Sequence, residues 1–226
     1  MAIRSKRASV LAFLAACAWC AASPAVASPI LLDWSPQALL GATSGNAYSN
    51  INGGQHFAEV VSFAVNTLVD GMAIYSGDGY GGVGTLVDIA IWADDAGRPG
   101  ALLGRFGSAI DIVDLDGTSS GNVRKHAQFA GFTMAADVSY WIGMAGHTIE
   151  LAQTAVREAN GGDGQMAQFT GRGSYLGQAG VGDMAFRLYG TALGPQQHVA
   201  IPLPGTLPLF GLAGVGLLAV RRRRSA

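Results

Sequence analysis

The sequence predicts an all-β fold, a single antiparallel β-sandwich of jelly-roll-like type set between two apolar terminal segments. Three observations carry this expectation. Apolar residues alternate in short runs through the middle of the chain, glycine and other turn-forming residues recur between those runs, and only residues 148–159 offer a helical alternative. Many short strands joined by such turns point to a two-layer β architecture rather than a helical one.

In chain order, Arg4, Lys6 and Arg7 precede the uncharged run 8–22, and Ala25-Val26-Ala27 then puts small residues where a signal peptidase cuts. The first element is therefore expected to be a signal helix over residues 1–27, cleaved between Ala27 and Ser28. Leu14-Ala15-Ala16-Cys17 resembles a lipobox and leaves a second processing route open, with Cys17 as a lipidated first residue.

The clearest strands are expected at 57–63, 67–75 and 86–92, the last with Val87, Ile89 and Ile91 on one face. Residues 101–106, 110–113, 123–129, 139–144 and 184–191 complete the set. The turns between them have mechanisms. Asp94-Asp95-Ala96-Gly97-Arg98-Pro99-Gly100 gathers residues that bond their own backbone, tolerate positive φ or hold φ near −65°. Asp114-Leu115-Asp116-Gly117 has the same character between two apolar strands. Within 148–159, Ile149, Leu151 and Gln153 alternate as well as they spiral, so a strand followed by a loop through Asn160-Gly161-Gly162-Asp163-Gly164 is expected.

At the other end, residues 201–220 carry no charge, and about 20 apolar residues suffice for a helix to cross a hydrocarbon layer. Arg221, Arg222, Arg223 and Arg224 follow at once. Such a cluster stays cytoplasmic, which leaves the preceding domain outside, as the signal peptide also requires. Pro202, Pro204 and Pro208 confine the regular part of this transmembrane helix to about residues 207–220, and Gly205, Gly211, Gly214 and Gly216 weaken it further. A short, glycine-rich span suits a segment handed to a membrane enzyme; a permanent simple anchor is the other reading.

Pro202-Leu203-Pro204-Gly205-Thr206, the apolar stretch and the terminal arginines resemble the PEP-CTERM sorting signal of Gram-negative surface proteins. The resemblance covers residues 201–226 and departs at Leu203, where the family has glutamate. It implies recognition by an exosortase-type membrane protease at the inner membrane, then passage to the cell surface or the exopolysaccharide (biofilm) matrix. The middle of the chain also resembles a family. Ile89-Ala90-Ile91-Trp92, Gly97-Arg98-Pro99-Gly100-Ala101-Leu102-Leu103, Phe132-Thr133-Met134-Ala135-Ala136-Asp137, Tyr140-Trp141-Ile142-Gly143 and Ala185-Phe186-Arg187-Leu188-Tyr189-Gly190 look like the choice-of-anchor β-sandwich domains. That likeness implies a fold and carries over no catalytic residue.

Residues 28–200 have the length of one extracytoplasmic domain with its own core. Both cysteines, Cys17 and Cys20, precede it, so disulfides and thiolate chemistry are excluded there. All fifteen acidic residues lie in this part against seven Arg and Lys, giving a net charge near −8 that repels phosphate backbones and excludes a nucleic-acid partner.

Candidate site residues are few. His56, His126, His147 and His198 show no metal-ligand spacing. Gly117-Thr118-Ser119-Ser120-Gly121 matches a nucleophile elbow in letters, but it follows an Asp-rich turn and precedes a strand instead of a helix. Asp111, Asp114 and Asp116 crowd one turn, and Asp163 lies in a glycine-rich loop; these hard oxygens are the candidate calcium ligands, although the twelve-residue hand loop is not matched. Tyr80, in the glycine-rich stretch 77–84, is the candidate aromatic for sugar contact, whereas Trp92 and Trp141 sit inside strands and read as core. No catalytic residue and no required cofactor are expected. The expected role is structural or adhesive at the surface or in the matrix, with a carbohydrate-binding module for exopolysaccharide as the alternative and a secreted hydrolase third.

Overall fold

In the computed structural model, the described residues are 28–194 apart from 37–42, 78–79, 116–121, 157–158, 160 and 181. The expected signal helix, the transmembrane segment, Ala25, Ala27, the sorting motif and the arginine cluster lie outside them, as do Asp116, Ser119 and His198. One compact unit ends at Ala192.

The described residues form fourteen strands: β1 (Ile30–Trp34), β2 (Thr43–Ser49), β3 (Gln55–Val61), β4 (Thr67–Gly77), β5 (Leu86–Asp94), β6 (Pro99–Ala109), β7 (Ile112–Asp114), β8 (Asn122–Met134), β9 (Tyr140–Gly146), β10 (Leu151–Val156), β11 (Met166–Thr170), β12 (Tyr175–Ala179), β13 (Asp183–Met184) and β14 (Phe186–Ala192). No helix occurs among the described residues. The strands form a five-stranded sheet in the order β1-β14-β4-β8-β7, a six-stranded sheet β12-β11-β3-β9-β5-β6 and a three-stranded sheet β13-β10-β2. Every strand pair in them is antiparallel.

Alternation explains which faces meet. On β5, Val87, Ile89 and Ile91 point into the main core, where Met72, Ile74, Ala127, Ile142, Met144, Phe186 and Leu188 from other strands join them. Apart from Ala127, each of these side chains contributes about 1.5–3 kcal/mol by leaving water. The main core thus draws on both larger sheets, an all-β arrangement consistent with a sandwich. The opposite face of the six-stranded sheet carries a second cluster, with Trp92, Trp141 and Phe169 over Ala58, Ala90 and Ala167. The small residues leave room for rings from separate strands to lie across them, and Trp92 stacks on Phe169 at 4.3 Å.

The eight expected strands all appear, most of them longer than their apolar runs. Residues 184–191 divide into β13 and β14 around Ala185, and β10 replaces the helical alternative over 148–159. β1, β2, β11 and β12 were not expected. Thr43-Ser44-Gly45-Asn46 and Tyr175-Leu176-Gly177-Gln178 lack a clean alternation, and these segments are strands because a neighbour supplies hydrogen bonds: β10 for β2, and β11 for β12.

The β5–β6 hairpin turns on Ala96 and Gly97, with φ of 54° and 80°, and Asp95 and Arg98 exchange backbone hydrogen bonds of 2.7 and 3.2 Å. Two positive φ values in a two-residue loop define a type I′ turn, which matches the strand twist. Ala96 is the misfit there, since its Cβ crowds the backbone in the left-handed region. Ala96→Asn is expected to stabilise the domain by about 1 kcal/mol, read as a rise of about 2–4 °C in Tm. An unchanged or lower Tm would contradict this account of the turn.

Candidate functional site

Of the candidate calcium ligands, the three that are described, Asp111, Asp114 and Asp163, have different partners. Asp111 Oδ1 meets His126 Nδ1 at 2.6 Å, and its Oδ2 accepts from the Gln128 amide. Asp114 takes both Arg124 Nε (3.1 Å) and Arg124 Nη2 (2.6 Å), a bidentate pairing across β7 and β8. Each is thus occupied by a basic side chain of β8.

Asp163 instead belongs to a group no local motif announced. Its carboxylate and those of Glu59 and Asp183 offer oxygens all within 4.8 Å of one another. Glu59 stands on the core-facing side of β3 between Phe57 and Val61, and both it and Asp183 are fully buried. Glu59 Oε1 accepts from Val60 N at 3.0 Å and Oε2 from Met184 N at 3.2 Å. Asp183 Oδ2 accepts from Ala159 N at 2.5 Å and Oδ1 from Gly164 N at 2.8 Å. Asp163 takes Gln165 N at 2.9 Å and Gln178 Nε2 at 2.8 Å. Every oxygen of the three thus has at least one donor, which holds the group in place.

Gly162 is needed for this packing. A Cβ there would lie 2.2 Å from Asp183 Oδ2, so only glycine lets the loop close over the carboxylate.

Burial pushes the Glu59 carboxyl up to about 8, helped by the charges of Asp183 and Asp163, against the opposing Val60 and Met184 amides. Burial also raises Asp183, against the amides of Ala159 and Gly164. At neutral pH the group therefore stores a proton on Glu59. The same three carboxylates are the described residues able to offer a hard cation several oxygens together, using the lone pairs that the amide donors leave.

The described histidines, His56, His126 and His147, take structural positions. His56 is fully buried on the far side of β3, edge-on to Trp92 at 5.1 Å and Phe169 at 6.1 Å. Burial pulls it down to about 3, with the nearby Arg105 charge adding to the effect. The Gly143 backbone acts in the other direction, but neither ring nitrogen reaches hydrogen-bond geometry. His147 Nδ1 meets the buried Asp88 at 2.7 Å, with Arg172 3.8 Å from the same oxygen. Residues 147–150 are not helical, so His147 and Glu150 do not form an i, i+3 pair.

Trp92 and Trp141 are buried, in agreement with their strand positions. Tyr80 is exposed, and its ring meets that of Tyr48 edge-on at 5.5 Å. Tyr48 escaped notice because it lies in β2, a segment without strand-like alternation. Glu59 had a usable signal, a carboxylate at a core-facing position of an alternating apolar run. Asp183 had none until β13 was placed beside β10.

No protein-family model matches the chain, and no match was found among curated proteins or solved structures.

Proposed function

We propose that this chain is an exported cell-surface or extracellular-matrix protein with a structural or adhesive, non-catalytic role, sorted through its C-terminal tail by an exosortase-type membrane protease. The observation that carries the reading is the order of features at the terminus. Pro202-Leu203-Pro204-Gly205-Thr206 is followed by an uncharged span and then by Arg221, Arg222, Arg223 and Arg224, in a chain whose other end has the form of a secretory signal. Signal peptidase frees Ser28, the tail holds the protein at the inner membrane of a Gram-negative cell, and processing releases a jelly-roll-like β-sandwich toward the surface. A cysteine-free, acidic, all-β domain supports this reading, because its stability rests on packing and needs no particular redox state.

The test is fractionation of cells expressing the chain with and without residues 201–226, followed by intact-mass measurement of the surface protein. Surface protein starting at Ser28 and ending upstream of the arginines is expected, with the truncated chain absent from the surface. Surface protein that retains Ala226 overturns processing, and a lipidated Cys17 start overturns the cleavage assigned before Ser28. A second reading, a carbohydrate-binding module for exopolysaccharide, is favoured by one specific observation, the exposed Tyr48–Tyr80 pair.

A further inference from the structure

We infer that Tyr48 and Tyr80 form a binding locus for a single soluble chain of neutral pyranose sugars. The inference deepens the carbohydrate-binding reading and rests on it.

The first ground is selectivity of exposure. Among the described residues, Tyr48 and Tyr80 are the only exposed aromatic side chains, each at 37%, and they touch each other. They come from separate parts of the chain, β2 and the loop before β5. Trp92, Trp141, Phe169 and Tyr75, by contrast, are buried. Large rings left in water are costly unless something covers them, and two such rings in contact form a built surface.

The second ground is that the pair is held from behind. The fully buried Lys125 donates from Nζ to the Tyr80 carbonyl, which ties the loop to β8. Gln55 Nε2 donates to the Tyr48 carbonyl at 2.6 Å, and Thr85 Oγ1 accepts from Gly82 N at 3.1 Å. Ile149 and Leu151 pack against Gly81. A ring whose backbone is already fixed loses little freedom on binding, which favours affinity from a small contact.

The third ground is chemistry. A pyranose ring presents an apolar face of C–H groups that packs on an aromatic face, and a rim of hydroxyls that seeks acceptors. The two phenol hydroxyls can meet that rim, and the acidic domain around them repels uronates, so the fitting glycan is neutral. The rings stand at 64° to each other, forming a corner instead of a flat bench. A corner seats one sugar ring of a free chain and does not match the plane of a crystalline polysaccharide.

The test uses the full chain in a detergent without a sugar headgroup, run by affinity electrophoresis through gels containing laminarin, dextran or galactomannan. Alginate serves as the polyanionic comparison, and crystalline cellulose is tested by pull-down. Retardation by at least one of the three neutral polymers is expected, with little binding to alginate or cellulose. Tyr80→Ala and Tyr48→Ala should each weaken it roughly tenfold, and Tyr80→Phe should retain most of it. Unchanged melting curves would show that the alanine variants fold. Absence of retardation by all three neutral polymers, equal affinity of the alanine variants, or equal binding of alginate overturns the proposal. So does a light-scattering result in which the rings hold two copies of the chain together. Sugar binding by purified protein does not depend on where the cell sends it, so failure here and failure of tail processing are separate results.

Discussion

Changing Glu59 to Gln is expected to raise stability by about 4 kcal/mol near pH 9 and to lower it by about 1 kcal/mol near pH 4. The carboxyl ionises near 4.5 when free and near 8 when buried in β3. Between those values the native chain holds a proton that the unfolded chain has lost, so stability is full below 4.5 and falls as pH rises toward 8. Each pKa unit corresponds to about 1.4 kcal/mol, so the whole interval corresponds to about 5 kcal/mol. Glutamine removes that dependence, but its amide cannot accept from both Val60 N and Met184 N, which accounts for the deficit in acid. Urea unfolding from about pH 4 to 9 measures both limbs. A wild-type profile that stays level from pH 6.5 to 9 would refute the buried proton, and repeating the titration with calcium chloride distinguishes a cation from a proton as the occupant.

Changing His56 to Leu is expected to protect the fold in acid by a similar amount. Here the native pKa lies near 3 and the ordinary value is 6.5, so the unfolded chain binds the proton first. Stability is full above 6.5 and is lost as pH falls toward 3, again by about 5 kcal/mol. The ring sits under the Trp92–Phe169 stack with both nitrogens unpaired, and leucine of similar size removes them without adding a polar group. Loss of the edge-on contacts subtracts about 1 kcal/mol at neutral pH. Acid unfolding followed by tryptophan fluorescence should shift its midpoint downward in the variant; an unshifted midpoint would assign the acid limb to other groups. The two effects have opposite slopes and overlap between pH 4.5 and 6.5, so the wild-type protein should be most stable across that interval.

Both groups lie on β3, on opposite faces, and their recognition required different information. The alternation of Phe57, Glu59 and Val61 was visible in the letters, and it already put a carboxylate in line with the core. What could not be read was that Asp183 and Asp163 would meet it, because contacts between residues more than a hundred positions apart depend on sheet order. The candidate calcium residues show the same limit. Asp111, Asp114 and Asp163 are all suitable oxygen donors, yet Asp111 and Asp114 are occupied by His126 and Arg124 while Asp163 joins Glu59.

The chain by itself determined the strands with clear alternation, the glycine-bearing turn at Ala96-Gly97 and the all-β class, because period-two patterning and turn chemistry act between near neighbours. It also determined the charge balance and the order of features at the two termini. Tertiary structure decided that β2 and β12 are strands at all, that Glu59 keeps a proton, that His56 is sealed under two rings, and that Tyr48 reaches Tyr80. Each of these depends on which strands lie side by side, and strand neighbours are chosen by the packing of the whole core and not by any local run of residues.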